Sequence, residues 1–266
     1  MSVFRLAKRG VETLLTDGLF PTFKKVFHHI RPQQSGWRKL HAEILSKETA
    51  KMRFTEIYKN NFWSNKESIS GPGSDLNYTK NLREALPELF EKYKIKRVLD
   101  APCGDFYWMK EVLKDQPGLS YVGGDIVEEL VEKNRSKFSS PQISFEVLDI
   151  TKSVLPTADL IIVRDCLFHL GYADIKLFLE NLSRSRIKYL LTTTHLFTKP
   201  HRNIDIVSGD FRFIDIFTEP FCFPNEPIER IDDWIPPDTP RQMCLFEVAS
   251  LPSSLSDLKE IGCKSA

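Results

Sequence analysis

Four apolar runs in this chain each end in an aspartate, and their spacing leaves room for one kind of sheet. Val98-Leu99 run into Asp100, YVGG into Asp125, FEVL into Asp149 and LIIVR into Asp165. The steps between the acids are 25, 24 and 16 residues. The first two hold a strand plus a returning helix, while the third is short for a full crossover. Near-continuous apolar runs are the pattern of parallel strands covered on both faces. Helical stripes fall between them: Val112 and Leu113 after the first run, then Leu130, Val131, Asn134 and Phe138 after the second. After Asp165, Ile175, Leu177, Phe178, Leu179 and Leu182 mark a broad helical face, followed by a strand over Tyr189–Thr194 that closes at His195. Alternating strands and helices predict an α/β fold with a mainly parallel sheet.

The turn after the first strand, Asp100-Ala101-Pro102-Cys103-Gly104-Asp105-Phe106, carries the chemistry. Pro102 and Gly104 turn the backbone, and a helix is expected to begin near Phe106. Open α/β sheets bind ligands at such turns, on the carboxyl edge of the strands.

These residues resemble the class I S-adenosylmethionine-dependent methyltransferases over roughly residues 95–250. The resemblance implies a Rossmann-like, doubly wound, mostly parallel seven-stranded sheet with a carboxy-terminal antiparallel strand pair, and S-adenosyl-L-methionine as cofactor. It puts Asp100, Ala101, Cys103 and Gly104 under the methionine part of the cofactor. Asp125, with Ile126, would hold the ribose hydroxyls. Asp149 would lie near the adenine amino group with Ile150 beside the ring. The VRDCLFHL run would border cofactor and acceptor, which adds Arg164 to the cofactor-binding set. More narrowly, DAPCGDFYWMK, SGPGS, TTTH and FCFP resemble a subgroup of bacterial methyltransferases across most of residues 54–248. Pro102 and Phe106 depart from the family pattern, standing where glycine is commoner. No Asn-Pro-Pro-Tyr motif follows the fourth strand, so amino methylation of bases or of glutamine is not indicated.

Methyl transfer from a sulfonium needs the cofactor fixed, the acceptor aligned and sometimes a proton removed. Alignment alone is worth roughly 7–11 kcal/mol of barrier. A carboxylate such as Asp125 can accept two hydroxyl hydrogens in charge-assisted bonds; the plainer alternative is a cap for the helix near Val127. Asp149-Ile150-Thr151 is equally ordinary turn chemistry. Three residues are candidate bases: Asp165, His169 and His195. Histidine titrates nearest neutrality and commonly moves protons. His195 closes a strand on the edge where an acceptor should sit, and His169 follows Asp165 by one helical turn. Each has a plain alternative, His169 as a packed side chain on a carbonyl and His195 as a loop residue without a role. Arg164 and Arg202 are also candidates to hold an anionic acceptor.

Metal binding is not expected, because no CxxC or HxxxH pair occurs among the cysteines and histidines. Five scattered cysteines in a chain able to build its own core favour reduced thiols over a disulfide framework, and a cytoplasmic protein. Lys and Arg number 37 against 36 Asp and Glu, which leaves no global nucleic-acid signature. No apolar stretch approaches a membrane span. The basic, amphipathic start (Val3, Phe4, Leu6, Val11, Leu14, Leu15) suits packing on its own domain or a partner, or peripheral contact with an anionic membrane.

Four segments are expected: an amino-terminal helical extension (1–53), a helical cap or lid (54–94), the cofactor-binding domain (95–250) and a tail (251–266). In the cap, Thr79 is placed to cap a helix that Pro87 should kink or split. Trp63, Gly71, Ser74 and Arg83 are candidate lid residues. Residues 200–240 hold seven prolines and many aromatics, so ordered loops and short strands are expected, closed by a pair over Ile228–Asp232 and Met243–Val248. Aromatic walls and acids there suit a polar acceptor with ring faces, such as a sugar. The expected activity is therefore O-methylation of a small molecule, with a sugar or glycan precursor as first choice. Two alternatives remain: a nicotinamide-dependent oxidoreductase, for which GxGxxG is missing, and a non-catalytic cofactor-binding subunit.

Overall fold

The structure, a computed structural model, describes residues 35–252. The amphipathic segment at residues 3–15 and most of the tail lie outside the described residues. The chain divides into two compact units at Ser46/Lys47. In the first, α1 (Ser35–Leu45) stacks Trp37 on His41, with ring centroids 5.1 Å apart. Everything that follows belongs to the second unit.

Seven strands form one sheet in the order β3-β2-β1-β4-β5-β7-β6. They are β1 (Arg97–Asp100), β2 (Ser120–Asp125), β3 (Ile143–Val147), β4 (Leu160–Val163), β5 (Tyr189–His195), β6 (Glu229–Asp232) and β7 (Arg241–Glu247). The first five are parallel, and β7 runs antiparallel to both β5 and β6. The expected fold class is thus observed. Because β1 pairs with β2 on one side and β4 on the other, the chain reverses direction of winding between β1 and β4. That switch point leaves a crevice above the strand ends.

Alternation along the strands divides the core between two faces. Leu99, Ile161, Val163 and Leu190 pack with α6 (Tyr172–Ser183) through Ile175, Phe178, Leu179 and Leu182. Val98, Leu160, Ile162 and Leu191 face the other way, toward α3 (Lys80–Lys92), α4 (Met109–Leu113) and α5 (Glu128–Phe138). Each such buried aliphatic side chain is worth about 1.5–3 kcal/mol against exposure. Both faces must be covered, so the sheet can bind a ligand only at its edge.

In the cap segment the cap expected at Thr79 is corrected, and Pro87 begins no second segment. Thr79 precedes α3, but its hydroxyl donates back to the Asp75 carbonyl at 2.9 Å and caps nothing. Pro87 neither splits nor ends α3, which spans it as one element with Leu82, Leu86, Leu89 and Phe90 buried on both sides of it. The continuous apolar stripe anchors both turns and outweighs the lost amide donor. Upstream, α2 (Ala50–Lys59) begins where the Thr49 hydroxyl accepts the Met52 amide at 3.2 Å.

No helix joins β3 to β4, and none lies between β5 and β6, as the short step and the prolines led one to expect. Residues 196–228 contain no strand either, but they are tied to the sheet. The Ile216 amide donates to Thr194 Oγ1 at 3.2 Å, and the His195 amide to the Ile214 carbonyl at 2.8 Å. Of the cysteines, Cys103, Cys166 and Cys244 are free and buried, whereas Cys222 is disulfide-bonded, which departs from an all-thiol set. Among the described residues no helix is long and apolar enough to cross a membrane.

Candidate active site

A cavity of about 590 Å³ opens over the β1–β4 switch point, within the roughly 300–1,000 Å³ typical of small-molecule sites. Its floor is the turn after β1. Gly104 has φ +55° and Phe106 φ +60°, so two residues of this turn are left-handed. Phe106 holds that conformation because its ring is locked between Tyr121, Phe138 and Phe145, at centroid distances of 5.1, 5.3 and 5.1 Å. The aromatic that breaks the family pattern is thereby accommodated, and the roughly 1–2 kcal/mol cost of a left-handed L-residue is met by packing.

The roof comes from upstream. Phe54, Ile57 and Tyr58 of α2 line the cavity, and Tyr58 packs on Val127 and Leu130 across it. The next loop is fastened to the floor by Asp105. Its carboxylate accepts the Ser68 hydroxyl at 2.9 Å, the Ser70 hydroxyl at 3.1 Å and the Ile69 amide at 3.0 Å. The Asp105 amide in turn donates to Ser70 Oγ at 3.0 Å. Any Cβ on Gly104 would lie 2.2 Å from Ser70 Oγ, so only glycine lets the loop settle there. Of the candidate lid residues, Trp63 and Ser74 line the cavity. Gly71 instead supports Trp63 from behind, and Arg83 pins the loop by donating to the Leu76 carbonyl at 2.7 Å. Asp105 escaped the sequence reading, because its partners lie 35 or more residues away. Only the adjacency of SGPGS and DAPCGD in the quoted motifs hinted at it.

The strand-end acids converge on this space. Asp100 is buried and accepts the Tyr121 hydroxyl at 2.9 Å. Burial pushes its carboxyl up to about 7 against the opposing effects of Tyr121 and Arg164. Asp125 is pushed up to about 6 by burial, partly offset by backbone amides. Its Oδ1 accepts the Val127 amide at 2.9 Å and its Oδ2 the Gly104 amide at 3.1 Å. A carboxylate has about four acceptor positions, so the capping role and a ligand role are compatible. Ile126, Cys103, Gly104 and Ile150 also line the cavity, but Ala101 is packed beneath it in the core. Burial raises the Cys103 thiol well above its usual value, which keeps it uncharged. Asp149 lines the far end, where Oδ1 accepts both the amide and the hydroxyl of Thr151 at 3.0 and 2.6 Å.

Arg164 lines the cavity, yet most of its donors are already used. It forms a two-pronged pair with Asp233 at 2.8 and 3.0 Å, and donates to the Gly73 carbonyl at 2.7 Å. An anionic acceptor would have to displace these contacts. Arg202 does not line the cavity.

The three candidate bases separate cleanly. Asp165 lines the cavity, but its Oδ2 is 2.9 Å from Arg241 Nη2 and 3.5 Å from Arg164 Nη1. Burial opposes its ionisation, and the two arginines outweigh burial and hold the carboxyl below its usual range. It is an anchored anion and a poor proton acceptor. His195 is a correction to the expected base. It is 4% exposed and does not line the cavity. Its Nδ1 accepts the Ile214 amide at 3.2 Å, and its ring packs edgewise on Phe168 and Phe213 at 5.3 and 5.0 Å. Burial, reinforced by Arg241, drives its pKa down to about 3. Strand-end position alone did not reveal that residues 211–214 would cover it.

His169 is different. It sits on a short helical turn, Leu167–His169, and lines the cavity half-buried. Nδ1 lies 2.7 Å from the Asp210 carbonyl, which can only accept, so Nδ1 carries the hydrogen and Nε2 keeps a lone pair. Burial lowers its pKa and favours the neutral ring. Trp63 covers it, with centroids 5.4 Å apart and planes 33° apart. An uncharged imidazole with a fixed tautomer, beside an aromatic wall, can take a proton from a hydroxyl.

Residues 98–186 match the family model of a methyltransferase domain. Among solved structures, the chain is similar to magnesium protoporphyrin IX methyltransferase from Synechocystis PCC 6803 with bound S-adenosylhomocysteine. The identity is 10%, with 74% of this chain and 98% of that one covered and a TM-score of 0.52, a likeness of fold. Human N-acetylserotonin methyltransferase in complex with S-adenosylmethionine aligns at 17% identity over 83% of this chain and 68% of that one, with a TM-score of 0.49. A comparison with curated protein sequences gives no match.

Proposed function

We propose that this chain, a class I S-adenosylmethionine-dependent methyltransferase, methylates a hydroxyl of a small ring-bearing acceptor, with His169 receiving the proton. The nicotinamide alternative drops out with the family match. What carries the proposal is His169: the Asp210 carbonyl fixes its Nδ1 hydrogen, which leaves Nε2 as the acceptor on the cavity wall.

The donor set supports the fit to the cofactor. Asp125 lines the cavity as a carboxyl whose capping bonds leave acceptor capacity for ribose hydroxyls. Ile126, Leu148 and Ile150 offer apolar walls for a flat base, with Asp149 at its rim. Asp100 and Asp125 place two buried carboxyl groups on the cavity, which suits a ligand bearing a sulfonium and an ammonium group. When bound, S-adenosylmethionine would supply an electrophilic methyl open to in-line attack by the acceptor oxygen, with sulfur leaving and keeping the C–S bonding pair. His169 Nε2 takes the hydroxyl proton as the oxygen–carbon bond forms, becomes a transient imidazolium, and returns the proton to solvent. Trp63 and α2 exclude water and align the acceptor.

A sugar or glycan precursor suits the subsite, because a pyranose presents an apolar face to Trp63 and a hydroxyl to His169. Incubating the protein with cofactor and a metabolite extract, then searching by mass for gain of one methyl, identifies the acceptor. On that acceptor, His169→Gln is expected to lower turnover by about a hundredfold or more. Undiminished turnover would reject His169 as the base.

A further inference from the structure

The turn that carries His169 is gripped by a buried cation that makes no ion-pair contact among the described residues. Arg212 is fully buried. Its Nη1 donates to the Leu170 carbonyl at 2.6 Å and its Nη2 to the Leu167 carbonyl at 3.2 Å. Its backbone amide donates to the Phe168 carbonyl at 3.1 Å, and the Gly209 amide to the His169 carbonyl at 2.8 Å. Four successive carbonyls, residues 167–170, are therefore held by residues 209–212. The Asp210 carbonyl completes the grip by accepting His169 Nδ1–H. Arg212 Nε has no acceptor, and the guanidinium lies over the rings of Tyr172 and Phe221 at 5.2 and 5.9 Å. Among the described residues it forms no ion pair with a carboxylate. Buried charges are ordinarily paired, so an arginine kept this way calls for a reason beyond packing.

We infer that Arg212 is the positioning residue of the His169 base: it locks the turn so that Nδ1–H stays on the Asp210 carbonyl. This rests on the reading of His169 as the base. The groups that act on His169 come from three elements. Burial lowers its pKa most and Arg212 lowers it further. The Asp210 carbonyl, Asp165 after β4 and the Asp210 carboxylate act in the opposite sense. Trp63, on the cavity side, is uncharged. Around Arg212 itself, Tyr172 and Asp205 favour the charged form against burial. Carbonyl dipoles and ring faces therefore stand where a counter-ion would sit.

Nitrogen NMR of the full chain, labelled with ¹⁵N-histidine and saturated with S-adenosylhomocysteine, tests this without an acceptor. His169→Gln identifies the signal among the six histidines. Wild-type His169 is expected as the Nδ1–H tautomer with a midpoint below the ordinary histidine value. Arg212→Met removes both donors to the Leu167 and Leu170 carbonyls, so the two ring tautomers of His169 should mix. Arg212→Lys keeps the charge but cannot span two carbonyls, so its tautomers should mix as well. A purely Nδ1–H ring in Arg212→Met overturns the inference. If that variant fails to bind S-adenosylhomocysteine, Arg212→Lys decides, and a tautomer identical to wild type overturns it. Undiminished methyl transfer by His169→Gln would sink the base reading while leaving these spectra intact, so the two failures are distinguishable.

Discussion

Trp63 faces His169 across the mouth of the cavity, their ring centroids 5.4 Å apart. The indole is held there by its own loop. Asn61 and Ser64 on either side of it are left-handed, with φ of +42° and +53°. Gly71, at φ +97°, packs so closely that an added Cβ would lie 3.3 Å from Trp63 Cβ. Left-handed non-glycine residues are costly, and they cluster where a side chain must be aimed.

An acceptor seated against Trp63 loses that face when the ring is removed. Trp63→Ala is expected to raise KM for the acceptor about tenfold, with S-adenosylhomocysteine affinity within about twofold of wild type. Steady-state kinetics and calorimetry together check this. An unchanged KM would remove Trp63 from the acceptor subsite.

Asp105 fastens the roof loop through three accepted hydrogen bonds. Asp105→Ala leaves the Ser68 and Ser70 hydroxyls and the Ile69 amide without that acceptor, at a cost of about 1–3 kcal/mol. Faster tryptic cleavage at Lys66 is the expected result, with a lower unfolding midpoint. Equal cleavage rates in the two proteins would show that the clamp does not hold the loop.

His195 should matter for stability and not for turnover. Its folded pKa, about 3, lies below the unfolded value, so the neutral ring's contribution is complete above about 6.5. As pH falls, the unfolded state binds the proton first and that stability drains away. Between pH 6.5 and 4.5 the loss is about 2 kcal/mol. Chemical denaturation of wild type and His195→Gln across that range should differ in slope by this amount. Parallel curves would contradict the burial argument.

The sheet was legible because apolar runs, acids and intervals all pointed to the same winding, from Asp100 to Asp165. Asp125 and Asp149 were legible for the same reason, as ends of those runs. The base was not separable by sequence. His195 and His169 both follow strands, and only the fold of residues 209–214 covers one and aims the other. Asp105 and Arg212 were illegible too: each acts through partners 35–45 residues away. Arg212 moreover looks like any other charged residue in a proline-rich loop. Thr79 misled because its hydroxyl is taken by the Asp75 carbonyl, and Pro87 begins no second segment because the buried leucine stripe runs through it.

The central claim is that the cavity clasps a nucleoside cofactor through ionised Asp125, and calorimetric titration with S-adenosylhomocysteine tests it most directly. Burial places the Asp125 carboxyl near 6, so it should be a full acceptor at pH 8 and largely protonated at pH 5. Affinity should therefore fall as pH falls through that value. Asp100, pushed up to about 7, titrates in the same window, so the comparison is made against Asp125→Asn. That variant is expected to bind about tenfold or more weakly at pH 8 and to show a shallower pH dependence. Equal affinity in the two proteins at both pH values would contradict the account.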